Sequence, residues 1–143
     1  MECFITKIPI GYFSRKPRAL FLFDGLGAAL TTFFLYFLLR PYYNYFGMSE
    51  NILKYLSVIA LVYGVYSISC FFLIKDNWSP FLRIIGIGNL LYCILTMTLL
   101  FAYCPSLTRL GLTYFIAEIL IIGLLIFTEF SVANRLKTEK LNF

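Results

Sequence analysis

Residues Leu20–Leu39 read LFLFDGLGAALTTFFLYFLL, an apolar run interrupted by one carboxylate, Asp24. A helix of about 20 such residues crosses a hydrocarbon core of roughly 30 Å. An acidic side chain inside that core costs roughly 2.5 to 3.5 kcal/mol on insertion scales, so Asp24 has to face other helices or water rather than lipid. The run follows a leader, residues 1–18, and no small-x-small cleavage site precedes Arg40, so it reads as a retained span and not a signal peptide.

Three further runs of the same kind follow. Of the 143 residues, 61% are hydrophobic and 13% charged, well outside the range of a soluble domain. The expected fold is all-α: an integral membrane, antiparallel (up-down) four-helix bundle with spans at 19–39, 52–74, 80–103 and 111–131. The leader 1–18 and a basic tail, 132–143, flank it. The connections are short, which leaves no soluble domain to carry a conventional active site.

The net charge of +5 follows from topology. Nine of the twelve Lys and Arg residues lie in the leader (Lys7, Arg15, Lys16, Arg18), the second connection and its helix start (Lys75, Arg83) and the tail (Arg135, Lys137, Lys140). The first and third connections with their flanks hold Arg40, Lys54 and Arg109. The positive-inside rule then predicts a multi-pass protein of the cell membrane with both termini cytoplasmic. The lipid bilayer is the primary partner, and no nucleic-acid binding is needed to explain the charge. In the leader, Phe4, Tyr12 and Phe13 with the basic residues fit an interfacial segment or a disordered tail equally well.

The spans carry polar stripes at helical spacing. In the first, Asp24, Gly27, Ala28 and Thr31 share a face, and Gly25 and Ala29 form a small-xxx-small pair on which another helix can pack closely. Tyr63, Tyr66, Ser67 and Cys70 line the second span, where Ala60 and Gly64 repeat the close-packing pair. In the third, Gly86, Asn89, Tyr92, Cys93 and Thr96 make the most polar stripe, entered by Arg83 near the surface. Ser79 as cap and Pro80 at the first helical position mark its start. The fourth carries Tyr114 and Glu118 on one face; Glu129 is expected to emerge towards water or the basic tail. Between the first two spans Tyr42, Tyr43, Tyr45 and Phe46 form an interfacial aromatic belt, and Trp78 is an anchor at the other surface. Arg18, Asp24 and Thr31 recur as Arg83, Asn89 and Thr96 at a constant offset of 65, which would make the helix pairs parallel repeats.

From the helical rise, Asp24 lies about 8 Å from the cytoplasmic end, Asn89 about 12 Å, Tyr63 about 15 Å, Tyr92 about 17 Å and Glu118 about 18 Å. These residues, with Arg83, form the candidate intramembrane polar site: Asp24 meets Arg83 or Asn89, and Glu118 meets Tyr63 or Tyr92. Asn and Tyr suit interhelical bonds that fix packing. Buried acids must in addition be protonated or paired with a cation, and Glu118 has no obvious cation at its level. The chain has no His, and its four Cys contain no C-x-x-C, so no metal, cofactor or redox relay is expected. Neither a glycine-rich phosphate loop nor a nucleophile elbow is present, and the protein is read as a non-enzyme.

The leading expectation is a membrane assembly or accessory subunit, homo-oligomeric or part of a larger membrane complex. The alternative is a small proton-linked transporter using Glu118 and Asp24, and a third is a lipid- or quinone-binding protein. The layout resembles the small multidrug transporters, short four-helix chains that work as dimers around membrane carboxylates. Those place their essential Glu in the first helix, where this chain has Asp24, so the resemblance is one of layout and carries over no residue role.

Overall fold

The structure is a computed structural model and describes residues 15–141. The expectation for Phe4, Tyr12 and Phe13 lies outside them. Helix α1 spans Pro17–Phe33 and continues through a π-helical turn, Phe34–Leu39. A short helix, α2, covers Tyr43–Phe46. Helices α3 (Glu50–Leu73), α4 (Trp78–Ala102) and α5 (Arg109–Leu141) follow. Among the described residues four helices are long and apolar enough to cross a membrane: α1 with its π turn, α3, α4 and α5. The protein is an all-α bundle of a multi-pass membrane type.

Element ends follow local chemistry. Pro17 opens α1, where its missing N–H costs nothing. Ser49 precedes α3 without a side-chain cap bond, and the first-turn Glu50 pairs with Arg40 at 3.0 Å instead. Helix α4 starts two residues before Pro80, and Ser79 does not cap it. Its hydroxyl donates to the Ala133 carbonyl of α5 at 2.8 Å, which fixes the level at which these two helices meet. Helix α5 runs 33 residues, about 50 Å at 1.5 Å per residue, so it continues through the segment 132–141 that the sequence marks as tail.

The bundle is two hairpins. Helix α1 lies along α3, and α4 along α5; contacts between the hairpins are sparse. Small residues set the first pairing: a Cβ on Gly64 would lie 3.2 Å from Ala28 Cβ, and one on Gly25 2.7 Å from Ile68 Cγ1. Across the hairpins, the Tyr63 ring packs onto Gly88, where a Cβ would come within 2.6 Å of it. Two apolar clusters result. Leu35, Leu39, Leu53, Leu56, Leu100 and Phe115 form one at the loop end, while Leu20, Phe21, Leu82, Ile85 and Val132 form the other at the basic end. Polar side chains and a cavity occupy the level between them.

The first connection is anchored to the third. Thr108 N–H donates to the Phe46 carbonyl at 3.4 Å, and Gly47 ends α2 with φ of 77°. A Cβ on Gly47 would sit 2.0 Å from the Ser106 carbonyl oxygen. Left-handed backbone alone costs a side-chain-bearing residue about 1–2 kcal/mol, and the clash adds to it. Gly47→Ala should therefore lower the unfolding midpoint in detergent; an unchanged midpoint would mean that this connection does not dock as described.

Candidate functional site

Asp24 is almost fully buried, and its partners come from three helices. Ser67 of α3 donates its hydroxyl to Asp24 Oδ2, and Asn89 Nδ2 of α4 donates to Oδ1 at 2.8 Å. The same amide donates to both oxygens of Glu129 at 3.3 Å. The Asn89 amide thereby gathers the Asp24 and Glu129 carboxyl groups on one donor. No cation pairs with either carboxyl group among the described residues, and two carboxylates held on one amide in a dry medium cannot both persist as anions. The Asp24–Asn89 bond also joins the two residues that the 65-residue offset equates.

Glu129 does not emerge towards water. It is completely buried, because α5 continues past it and Ala133, level with the start of α4, lies one turn further on. Its spacing could have revealed this: Glu129 follows Glu118 by three helical turns, on the same face. Ser67 stood on a polar stripe of the second span and becomes the donor that closes Asp24. Arg83 does not meet Asp24; its Nη2 donates to Asn134 Oδ1 at 2.8 Å, near the surface.

A second polar level lies nearer the loop end. Tyr92 donates its phenol to Glu118 Oε1 at 3.1 Å. Glu118 Oε2 is buried and has no hydrogen-bond partner. Glu118 is 7% exposed, and no cation pairs with it or with Asp24 or Glu129 among the described residues. Tyr63 does not meet Glu118; it is half-buried and its ring packs on Gly88 of α4.

Between the levels is a cavity of about 220 Å³. Asp24, Thr31, Asn89, Tyr92 and Glu118 are among its polar residues; Tyr63, Tyr114 and Phe34 supply aromatic surface. Ala60 of α3 adds to the wall, and the rest of it comes from α1 and α5, including Leu30, Ala117 and Ile121, which are exposed on the outside of the bundle. The cavity therefore opens sideways between α1 and α5, towards the surface that faces lipid. Phe34 begins the π-helical turn of α1, a form of backbone that recurs at functional sites. Gly27 lines the cavity, and a Cβ there would meet nothing within 4 Å.

Among the described residues no group of three His, Cys, Asp or Glu side chains could hold a metal. Cys70, Cys93 and Cys104 are free thiols, with the first buried and the last exposed. Fold and site together define a small multi-pass helical membrane protein with an acidic, laterally open intramembrane cavity. No family model, curated protein or solved structure matches the chain.

The polar network predicts a specific coupling. In a double-mutant cycle of Asp24→Asn and Asn89→Ala, unfolded from mixed micelles, the coupling energy should be about 0.6 to 2 kcal/mol, the range of interhelical bonds in membranes. Arg83→Gln should be additive with Asp24→Asn. Additivity in the first cycle, or coupling in the second, would contradict these contacts.

Proposed function

We propose that this protein is a membrane binding protein, of the carrier type, for lipophilic molecules bearing a basic nitrogen, which enter from the lipid between α1 and α5. The observation that carries this reading is Glu118 Oε2, a buried carboxyl oxygen without a partner on a residue that lines an apolar-walled cavity. A polar network that serves packing alone closes its bonds within the bundle, as the Asp24–Ser67–Asn89–Glu129 cluster does. Two buried side-chain atoms lack a partner among the described residues, Thr96 Oγ1 and Glu118 Oε2, and of these two residues Glu118 is the one that lines the cavity, which favours a ligand there.

The ligand class follows from the walls. The open group is acidic and nothing basic lies beside it, so a donor or a cation completes it. Tyr63, Tyr92 and Tyr114 surround that position with aromatic surface, which attracts an ammonium through the ring quadrupole. The apolar faces of α1 and α5 suit an alkyl or aryl body. Occupation by an ammonium replaces the proton that a lone buried carboxyl otherwise carries, so loading exchanges a cation for a proton. That exchange is the elementary step a proton-linked carrier needs, with the Asp24–Glu129 pair as a second proton holder at the basic end of the same cavity.

Binding of a long-chain tertiary amine and of its neutral carbon isostere to the protein in lipid nanodiscs tests this. The amine should bind about tenfold or more tightly than the isostere, as hydrogen bonds to charged groups imply, and Glu118→Gln should remove that preference. Gln keeps the acceptor for Tyr92, so the fold is retained. Gly27→Leu, placed in open space on the cavity wall, should weaken both ligands without lowering the unfolding midpoint. Equal affinity for amine and isostere, or an unchanged preference in Glu118→Gln, would refute the reading.

A further inference from the structure

A second cavity lies at the opposite pole of the charge distribution. It sits between the start of α4 and the last turns of α5, has a volume of about 320 Å³, and is lined by Asn77, Ser79, Pro80, Arg83, Lys137 and Leu141. We propose that this cleft holds the phosphate group of an anionic phospholipid between Arg83 and Lys137.

The cations are placed for it. Arg83 is half-buried, and one of its five N–H donors is spent on Asn134 Oδ1, which fixes the guanidinium without neutralising it. Lys137 follows Asn134 by three residues and so shares its face of α5. Neither Arg83 nor Lys137 forms an ion pair among the described residues. The carboxylate nearest in sequence to Lys137, Glu139, pairs with Arg135, and Asp76 does not line the cleft. The hydroxyl of Ser79 is committed to the Ala133 carbonyl, so the positive groups dominate what an incoming ligand meets. A planar guanidinium beside an ammonium matches a phosphate: the first binds two oxygens in a fork, the second acts as a point charge.

The level of the cleft selects a lipid as the source of that phosphate. Trp78, an amphipathic ring of the type that settles at the membrane surface, begins α4 beside it and packs on Phe21 with ring centroids 5.6 Å apart. Above Arg83, the exposed side chains of Ile84, Ile87 and Leu91 form a continuous apolar track on α4. A phosphate at Arg83 and Lys137 leaves acyl chains lying along that track. This site is basic and surface-level, and it stands independently of the acidic cavity around Glu118.

The test is native mass spectrometry of the full chain released from micelles containing equal amounts of phosphatidylglycerol and phosphatidylcholine. The protein should retain phosphatidylglycerol about tenfold over phosphatidylcholine, a difference of one decade in affinity. The double variant Arg83→Gln with Lys137→Gln should lose that preference; Lys137→Gln alone, at an exposed position, should lose part of it with an unchanged unfolding midpoint. Arg109→Gln, an exposed arginine at the other end of α5, should retain it in full. Equal retention of the two lipids, an unchanged preference in the double variant, or an equal loss in Arg109→Gln overturns the site. Displacement of the retained lipid by millimolar inorganic phosphate overturns the lipid as its occupant.

Discussion

The bond from the Asn89 amide to the Asp24 carboxyl, 2.8 Å long and spanning the seam between the hairpins, is the constraint on which the bundle depends. An acid in hydrocarbon has to be satisfied within protein, and here the means are neutral donors and a second acid, not a cation. Ser67 closes one oxygen, Asn89 the other, and Glu129 is drawn in from α5. Four helices are thereby fixed at one level. Individually such bonds are worth about 0.6 kcal/mol and seldom more than 2. Their structural weight comes from the alternative, a buried carboxyl with nothing to accept from.

That level divides the apolar interior. Below it, Leu20, Phe21, Leu82 and Val132 close the basic end; above it, Leu35, Leu53, Leu100 and Phe115 close the loop end. Within the first hairpin, Gly25 and Gly64 let α1 and α3 approach closely. The hairpins meet through these two apolar clusters, the polar level, Tyr63 on Gly88 and the docking of the first connection on the third. Space is left between α1 and α5, the two helices that small residues do not bring together. Glu118 lines that space, and among the described residues Tyr92 is its hydrogen-bond donor, which is the basis for proposing a site there.

Much of this was legible in the chain itself. Length and apolarity mark the four spans, since nothing but a helix satisfies the backbone across lipid. The pairs Gly25/Ala29 and Ala60/Gly64 indicate where backbones can meet, and they do so between α1 and α3. Asn89 and Tyr92 were the available neutral partners for Asp24 and Glu118 at matching depth, and these pairs form. Arg83 was the other candidate for Asp24, but a long side chain one turn from the surface reaches water and Asn134 more cheaply than the interior. Glu129 was misplaced because the apolar run stops near it while the helix does not; hydropathy reports where lipid ends, not where backbone hydrogen bonding ends. The π turn at Phe34–Leu39 and the lateral opening have no sequence signal of their own. Both depend on how the hairpins sit against each other, which side-chain periodicity within one helix does not encode.

The central claim is that a ligand from the lipid phase completes Glu118. A structure of the protein in lipid nanodiscs with a bromine-labelled long-chain amine addresses it most directly. The amine nitrogen should lie within hydrogen-bonding distance of Glu118 Oε2, with the labelled chain leaving between α1 and α5. A cavity closed by its own side chains, with Glu118 Oε2 bonded inside the bundle and the amine only at the outer surface, would contradict it.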